Sequence, residues 1–551
     1  MRTRPLLAAA LVLSALAGAS AQERAPQSDS IRKDDLRADL FFLASDNMRG
    51  RLTGTPENMI AAEWIKARFE RLGLAPAGDE GSYFHSFNLL TATLGSGNRM
   101  EVARDEKATL QLASGQDFHP QRFSASGQAK GALVFAGYGI HAPAQGYDDY
   151  RTGSMAGKVV LVLDHEPGER DPTSRLDGVV TAEAANALRK TLAAQSRGAV
   201  AVLFVADVHN HPGPVNFEAA ARAYWPDAPP RIERYTLAAL MEQVRIPAAQ
   251  ISPALAASLV EPTGKSLEEL GRAAEIAGGF TPIALQATVD ITTSVNRHVV
   301  PDRNVLARIE GADPKLKDEW VIVCAHYDHD GTDGTRILNG ADDDGSGTVG
   351  LLEIAEAYVL AAREGRRPRR SVLFAAWNSE ERGLLGAWAY ADRPLVARDR
   401  IVAVLNMDMI GRNEEVPEGG GNRFRGLDIQ TAESNRNAVN VIGTARSADM
   451  KTSVTRANAS IGLELKFRYD NNVSNLMRRS DHWPFLQHGI PALWFHTGLH
   501  PDYHTNYDRP EKINYDKMEK VARLVYQMSY DLAQQPGRPA LDAGSPAPTA
   551  R

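Results

Sequence analysis

Four apolar segments in the second half of the chain run into acidic or imidazole side chains. They are EWVIVCAHYD (319–328), RSVLFAAWNSE (370–380), IVAVLNMDMIG (401–411) and IPALWFHTG (490–498), the last followed by HPDYHTNYD (500–508). A helix-like segment, TVGLLEIAEAYVLAA (348–362), lies between the first two. Strands that alternate with helices predict an α/β fold: a central, mostly parallel mixed sheet with helices on both faces.

The polar ends of these segments are expected to lie close together. In an open α/β sheet the ligand crevice lies beyond the carboxyl ends of the strands, so carboxylates and imidazoles from distant segments converge there. Converging anions need a cation, and imidazole with carboxylate but no thiolate favours a catalytic zinc or a similar divalent ion. Each motif alone is also typical of a surface turn or a solvated acid, so the prediction rests on their combination.

The stretch GADDDGSG (340–347) places three aspartates side by side. It is a poor match to a calcium loop, because Asp342, Asp343 and Asp344 are adjacent rather than alternating. Gly345 and Gly347 are expected to let the chain turn tightly before the helix. Adjacent carboxylates repel one another unless a cation lies among them, so one of the three aspartates is expected to enter a metal site.

Length and composition limit the classes of protein. A chain of 551 residues predicts two domains, or one domain with a large insertion. The net charge of −6 without long basic runs disfavours nucleic acid as a partner. Cys324 is the only cysteine, so no intrachain disulfide can form.

The two termini have a composition unlike that of the rest. MRTRP, the apolar LLAAALVLSALAGA and the small residues ASA predict a signal peptide at 1–21, and hence a secreted or periplasmic protein. Its removal takes the net charge from −6 to −8, since it contains Arg2 and Arg4. The apolar run is shorter than the ~20 residues that span a membrane, and no other segment is predicted to span one. Residues 534–551, rich in Pro, Ala and Gly, are predicted to be a disordered tail.

Between the termini we predict a catalytic domain with an insertion. Residues 31–105 form its first part and include a helix at TPENMIAAEWIKARFERLGL (55–74). Residues 106–290 form an inserted, β-rich α+β domain, in which DVHNHP (207–212) is interpreted as a surface loop. Residues 291–533 complete the catalytic domain.

The motifs as a set resemble a known family. AHYDHDG, NGADDDGSGTVGLLEIA, FAAWNSEERGLLGA, NMDMIGR, RRSDHWPF and GLHPDYHTNYD resemble the secreted bacterial aminopeptidases with a co-catalytic zinc pair, whose wider family includes glutamate carboxypeptidase II and the transferrin receptor. The resemblance is close over 296–530 and looser over 35–80. Residues 106–290 resemble, less sharply, a protease-associated domain.

The resemblance implies a site with two zinc ions. It implies that His326 and Asp408 bind one ion, that Glu381 and His504 bind the other, and that Asp343 bridges them. It further implies that Glu380 is the general base, that Asp328 holds the His326 imidazole, and that Tyr503 steadies the tetrahedral intermediate. Asp342 falls where relatives carry asparagine, so it is not expected to be a required ligand. With Asp344, it is expected to support the site by its charge, or to face solvent and cap the next helix.

The function implied is that of a zinc exopeptidase acting on peptide or protein N-termini, with a metal-bridging hydroxide as nucleophile. Two neighbouring divalent ions repel each other, and a bridging carboxylate and water screen that repulsion. A carboxypeptidase of the same fold stays open, with Arg412, Arg478 and Arg479 as candidates to grip a substrate carboxylate. A one-zinc glutaminyl cyclase or a catalytically inactive receptor would share the fold, but the complete ligand set argues against both. The preferred N-terminal residue and the oligomeric state stay open.

Overall fold

The computed structural model describes residues 23–105 and 108–543. The predicted signal peptide at 1–21 and residues 544–551 of the predicted tail lie outside this described part. Within it, no helix is both long enough and apolar enough to cross a membrane.

The first of two large sheets carries the four predicted strands at its centre. Its central strands are parallel and lie side by side in the order Ser371–Trp377, Trp320–His326, Ile401–Met407 and Ala492–His496. Antiparallel pairing extends the sheet on one side through Val295–Ile309, Phe84–Leu94 and Thr236–Leu237, with Ala75–Pro76 also paired to Val295–Ile309. On the other side come Ala438–Ile442, antiparallel, and then Glu464–Lys466, parallel to it. The predicted mixed α/β sheet is confirmed, and all four motif-bearing strands are parallel.

Helices cover both faces of this sheet. Val321, Val323 and Ala325 point to one face, where five helices pack: Lys33–Leu43, Pro56–Leu72, Gly347–Arg363, Ala448–Asn458 and Tyr515–Gln534. Ile322 and Cys324 point to the other face, towards the helices Leu385–Asp392 and His482–Gln487. Burial on both faces explains why these strands are apolar without alternation.

The predicted helix at 55–74 is observed as Pro56–Leu72. The Thr55 side chain accepts a hydrogen bond from the Asn58 N–H, and Pro56 occupies the first turn. Gly73 ends the helix with φ of 77°, in the left-handed region that glycine enters without steric cost. Local sequence signals therefore set both ends of this helix.

The second large sheet is formed by strands that lie, along the chain, between Phe84–Leu94 and Val295–Ile309 of the main sheet. Its order is Ala108–Leu112, Arg99–Asp105, Ile283–Thr293, Gly127–Phe135, Lys158–Leu163, Ala201–Val205, Ala248–Ile251 and Phe118–Pro120. The helices in this part are Ala187–Gln195, Phe217–Tyr224, Ala238–Met241, Pro253–Val260 and Leu267–Ala274. Two short strand pairs complete the described strands, His141–Ala142 with Tyr147–Asp148 and Thr332–Asp333 with Arg336–Ile337. A β-rich α+β unit is thus present, and its sheet begins at Arg99, ahead of the predicted boundary at 106.

The second unit touches the main sheet's loops at two places. The segment 171–183, here called the insert loop, receives a hydrogen bond from Arg478 Nη1 at the Thr181 carbonyl, at 2.8 Å. Its Val179 N–H donates to Asn471 Oδ1 at 2.9 Å. Elsewhere in the second unit, Arg231 Nη1 donates to the Asp330 carbonyl at 2.8 Å.

The described part of the tail is bound to the rest of the fold. Ser447 Oγ donates to the Ala540 carbonyl at 2.6 Å, and the Asp542 N–H donates to the Arg446 carbonyl at 2.8 Å. The prediction of disorder from residue 534 is therefore wrong for 535–543. Residues 535–543 contain few large apolar side chains, and hydrogen bonds to their main chain hold them against the fold.

Arg51 joins separate parts of the catalytic fold. Its side chain is fully buried and donates to four main-chain carbonyls, those of Leu43, Tyr327, Asn339 and Gly340, at 2.8–2.9 Å. Burial lowers the pKa of Arg51 to about 10, while nearby carboxylates such as Asp328 oppose the shift, so the guanidinium stays charged at neutral pH. It links the end of the strand Trp320–His326 to the segment that precedes Asp343.

Replacing Arg51 is expected to destabilise the fold. Arg51→Met would remove the guanidinium donor from all four carbonyls, of which, within the described part of the chain, only that of Gly340 also accepts a main-chain N–H, from Gly345 at 3.2 Å. We expect the free energy of unfolding to fall by about 3–5 kcal/mol. Thermal and urea unfolding measure this. Arg49→Met is the control, because Arg49 is 55% exposed and its ion pair with Glu57 is long, at 3.6 Å. Equal shifts in the two variants would contradict the role given to Arg51.

Candidate metal centre

The fold brings all five predicted metal ligands to one edge of the main sheet. His326 is the last residue of its strand, and Asp408 directly follows the strand Ile401–Met407. Glu381 lies in the turn after Ser371–Trp377. Asp343 comes from the turn before the helix Gly347–Arg363, and His504 from the loop after Ala492–His496. Convergence follows from the parallel strands, whose carboxyl ends share this edge.

Asp343 lies between two sets of donor atoms. Its Oδ1 is 3.3 Å from His326 Nε2, which in turn is 3.8 Å from Asp408 Oδ1. Its Oδ2 is 2.9 Å from His504 Nε2, which is 3.3 Å from Glu381 Oε2. Ligands at 2.0–2.1 Å from a tetrahedral zinc lie about 3.3 Å from one another, so each set has the spacing of a zinc site.

The same atoms lack hydrogen-bond partners. His326 Nε2, His504 Nε2, Asp343 Oδ2 and Glu381 Oε1 are buried and make no hydrogen bond to any residue that the structure describes. Buried polar atoms are normally paired, because leaving one without a partner costs free energy. A divalent cation in each set would satisfy them, so the residues fit two zinc ions.

The charge state of Asp343 suits a shared ligand. Burial acts to raise the pKa of its carboxyl, but the adjacent imidazoles of His326 and His504 outweigh burial and hold that pKa well below its usual range. The carboxylate is therefore ionised at neutral pH, as a bridging ligand must be.

The other two aspartates of GADDDGSG are buried supports rather than surface charges. The Asp344 carboxylate accepts main-chain N–H bonds from His326, at 3.1 Å, and Met409, at 3.1 Å. The Asp342 carboxylate accepts the Gly411 N–H at 2.6 Å. Both are fully buried, so of the two alternatives the one in which they face solvent is wrong. They tie the Asp343 turn to neighbouring strand ends.

The glycines of this stretch act differently from the expectation. Gly340 has the left-handed φ of 56°, whereas Gly347 has φ of −66° and already belongs to the helix. A Cβ on Gly347 would lie 2.4 Å from the Met407 carbonyl oxygen and 2.5 Å from Asp344 Oδ1. Gly347 is needed for close approach to the neighbouring strand rather than for a special backbone angle.

Asp328 has a broader role than the one expected. Its Oδ1 is 3.6 Å from His326 Nδ1, and its own carbonyl oxygen is nearer, at 3.2 Å. Its carboxylate accepts the N–H groups of Glu380, at 3.0 Å, and Glu381, at 3.3 Å. Asp328 therefore fixes the turn that presents both glutamates.

Two residues of AHYDHDG that were not predicted as site residues also lie in the centre. Asp330 Oδ2 is 3.1 Å from His504 Nδ1, which leaves Nε2 free to face the metal set. His329 Nδ1 is 2.7 Å from Glu381 Oε1. Burial opposes ionisation of Asp330, but the hydrogen bond from His504 and the neighbouring charges lower its pKa. The sequence signal that could have identified them is a second histidine and a second aspartate in the motif that contains His326.

Asp408 and Asp343 each have a further support that was not predicted. Ser480 Oγ, in RRSDHWPF, donates to Asp408 Oδ2 at 2.5 Å, and Asn406 Nδ2 donates to Ser480 Oγ at 2.7 Å. The Asp508 carboxylate accepts the Asp343 N–H at 3.1 Å. Both supports lie in motifs that carried the resemblance, but neither side chain type by itself indicates such a role.

Glu380 and Tyr503, the remaining predicted residues, border the two donor sets. Glu380 Oε2 is 3.7 Å from His326 Nε2. Burial raises the pKa of Glu380 well above its usual range, against the effect of His326. Arg479 Nη2 donates to the Tyr503 hydroxyl at 3.1 Å. Desolvation raises the pKa of Tyr503 to about 12, against the effects of His504 and Arg479, so the phenol stays protonated.

The three arginines considered for carboxylate binding are in different positions. Arg412 pairs with Asp502 at 2.9 Å, and Arg478 donates to the insert loop. Arg479 alone of the three contacts a predicted site residue.

Comparison with known proteins supports the resemblance. Residues 304–529 match the family model described as Peptidase family M28, which confirms the resemblance over this part of the chain. The chain is 29% identical over 210 residues to the probable glutamate carboxypeptidase AMP1 of Arabidopsis thaliana, covering 37% of this chain and 26% of that protein. It is 28% identical over 228 residues to the aminopeptidase YwaD of Bacillus subtilis (strain 168), covering 40% and 42%.

A solved structure also aligns along nearly the whole chain. The aminopeptidase from Aneurinibacillus sp. strain AM-1 is 19% identical, with a TM-score of 0.48, covering 95% of this chain and 99% of that one. Among the first curated relatives, by contrast, the chain spans only 26% to 66% of their length.

Removing the Asp330 carboxylate charge is expected to weaken one zinc position. In Asp330→Asn the His504 imidazole loses its charged partner, and such partners contribute about 10–100-fold in metal affinity. Competition with a chromophoric chelator measures the two affinities separately. Asp333→Asn is the control, because Asp333 is 46% exposed and its ion pair is with Arg336 rather than with a predicted ligand. Unchanged affinity at both positions would contradict the role given to Asp330.

Proposed function

We propose that this chain, with its M28 peptidase region at 304–529, is a secreted dizinc exopeptidase that removes N-terminal residues from peptides. The observation that carries the proposal is the position of Asp343, whose two oxygens each face a separate imidazole–carboxylate set. His326 and Asp408 would hold one zinc ion and Glu381 and His504 the other. Glu380 lies beside the first set, where a proton-transferring group is needed.

Bound zinc would polarise the scissile carbonyl and lower the pKa of the attacking water. Glu380 then has the task of taking the proton from that water and passing it to the leaving amine. A residue serves both steps best when its pKa is near the working pH, and burial moves the pKa of Glu380 in that direction. Asp328 supports this by fixing the Glu380 main chain.

Tyr503 is proposed to steady the developing negative charge on the carbonyl oxygen. Its phenol is protonated at neutral pH and can donate a hydrogen bond to that oxygen. Arg479 holds the Tyr503 hydroxyl and adds a positive charge beside it. The pair would bind the charged tetrahedral species better than the neutral substrate, which is the requirement for faster turnover.

Preference for a free N-terminus follows from the charge around the centre. Around the candidate metal centre carboxylates outnumber guanidinium groups, which favours a cationic substrate amine over a substrate carboxylate.

A carboxypeptidase is the second candidate function, and the position of Arg479 is the observation in its favour. Arg412 and Arg478 give it less support because both have partners elsewhere. Two donor sets weigh against a one-zinc glutaminyl cyclase, and Glu380 beside them weighs against an inactive receptor.

The N-terminal segment and the inserted domain would contribute export and access to the site. Residues 1–21 would direct export, placing the enzyme in the periplasm or the medium. Residues 106–290, as a protease-associated-like domain, would shape the entrance to the site, since the insert loop contacts Arg478, next to Arg479. Peptide or protein N-termini would be the partners, without nucleic acid.

The assignment of the base predicts a separation of metal binding from turnover. Glu380→Gln should retain both zinc ions and lose about 10²–10⁴-fold in kcat, because it removes proton transfer but no ligand. Glu381→Gln is the matched comparison and should lose zinc. Zinc content and hydrolysis rates measure the difference. Zinc loss in Glu380→Gln, or unchanged turnover, would contradict the assignment.

The direction of cleavage is tested with blocked peptides. We expect hydrolysis of free-amine substrates and of C-terminally amidated peptides, and none of N-acetylated ones. A strong chelator should abolish the activity, and added zinc should restore it. Cleavage of N-acetylated peptides that requires a free C-terminus would establish the carboxypeptidase instead.

A further inference from the structure

We infer that the second unit holds a separate divalent-cation site of the zinc class, formed by His165, Glu169 and His211. His211 Nε2 is 2.8 Å from Glu169 Oε1, and His165 Nδ1 is 3.4 Å from Glu169 Oε2. The two imidazole rings stack, with centroids 4.0 Å apart and an angle of 25° between their planes. One donor atom from each of the three residues lies within 4.8 Å of the other two.

The donor set suits zinc. Two imidazoles and one carboxylate are a known three-residue ligand combination for this ion, with water completing a tetrahedron. The side chains of His165 and His211 are 47% and 43% exposed, so both an ion and its water can reach them. None of the three residues belongs to the dizinc centre proposed above.

The second sheet places these residues together. The strands Lys158–Leu163 and Ala201–Val205 are parallel neighbours, so the loops that follow them emerge at the same edge. His165 and Glu169 lie in the first loop and His211 lies in the second. Arg170 donates a hydrogen bond to the Asn210 carbonyl, which ties the loops beside the cluster. The ligands are therefore held near one another before an ion binds.

This inference changes the interpretation of DVHNHP as a simple surface loop. Of its two histidines only His211 belongs to the cluster, and its partners lie in a different loop of the sequence. An ion here would join the 165–169 and 207–211 segments at the start of the insert loop, which contacts Arg478 beside the candidate metal centre. Its expected role is to hold that loop in place.

Zinc stoichiometry tests the site. Metal-depleted full-length protein is reloaded with Zn²⁺ alone, freed of loose metal by gel filtration, and its metal content is counted. We expect His165→Ala and His211→Ala to bind one equivalent less than the parent chain. His209→Ala, a histidine on the same loop outside the cluster, should bind as much as the parent. Equal content in the parent and both cluster variants would overturn the inference.

Further variants separate loss of this site from misfolding and from an error in the dizinc proposal. Glu169→Gln conserves shape, and it should weaken the binding of the additional equivalent at least about tenfold without changing thermal unfolding of the metal-free chain. An Asp343→Ala chain should keep one equivalent that the double variant Asp343→Ala/His211→Ala lacks. That difference does not depend on how many ions the other centre holds, and its absence would also overturn the inference.

Discussion

The shared carboxylate of Asp343 is the interaction on which the candidate centre depends. One side chain faces His326 with one oxygen and His504 with the other, so a shift of this turn disturbs both donor sets together. Around it the fold buries further carboxylates, including Asp328, Asp344, Glu380 and Asp408. Burial of so many like charges is unfavourable without cations, so the proposed metal ions would also stabilise the folded structure.

The protein compensates part of that cost with its own main chain. The carboxylates of Asp342, Asp344, Asp328 and Asp508 each accept N–H groups from turns at the sheet edge. Hydrogen bonds to an ionised acceptor are among the stronger ones, and they also fix the turn that donates them. The acids that face no metal set thus determine where the ligands lie.

Much of this arrangement was accessible from the sequence. The apolar strand segments and the helix at Pro56–Leu72 follow from local sequence patterns, whereas the five predicted ligands were assigned through the resemblance of the strand-end motifs to a known family. Asp330 and His329 were missed because their function depends on which imidazole nitrogen or carboxylate they meet in space. Arg51 was missed because its partners are main-chain carbonyls, which leave no trace in side-chain identity. The buried state of Asp342 and Asp344 required knowledge of the neighbouring N–H groups, and the bound tail required knowledge of what it packs against.

The way the chain passes between its two sheets affects how it folds. Leu94 pairs with Val295 in the main sheet, and Arg99 pairs with Thr292 in the second, so the outgoing and returning segments stay together as a two-stranded ribbon. Once the second sheet has formed, the long loop between Phe84–Leu94 and Val295–Ile309 is already closed. The entropy cost of bringing the two distant segments together is then already met when the insertion folds. The loop that must close between Arg51 and the carbonyls that follow the insertion is correspondingly shorter. A folded insertion would thereby lower the entropy cost of pairing the two segments of the domain that it interrupts.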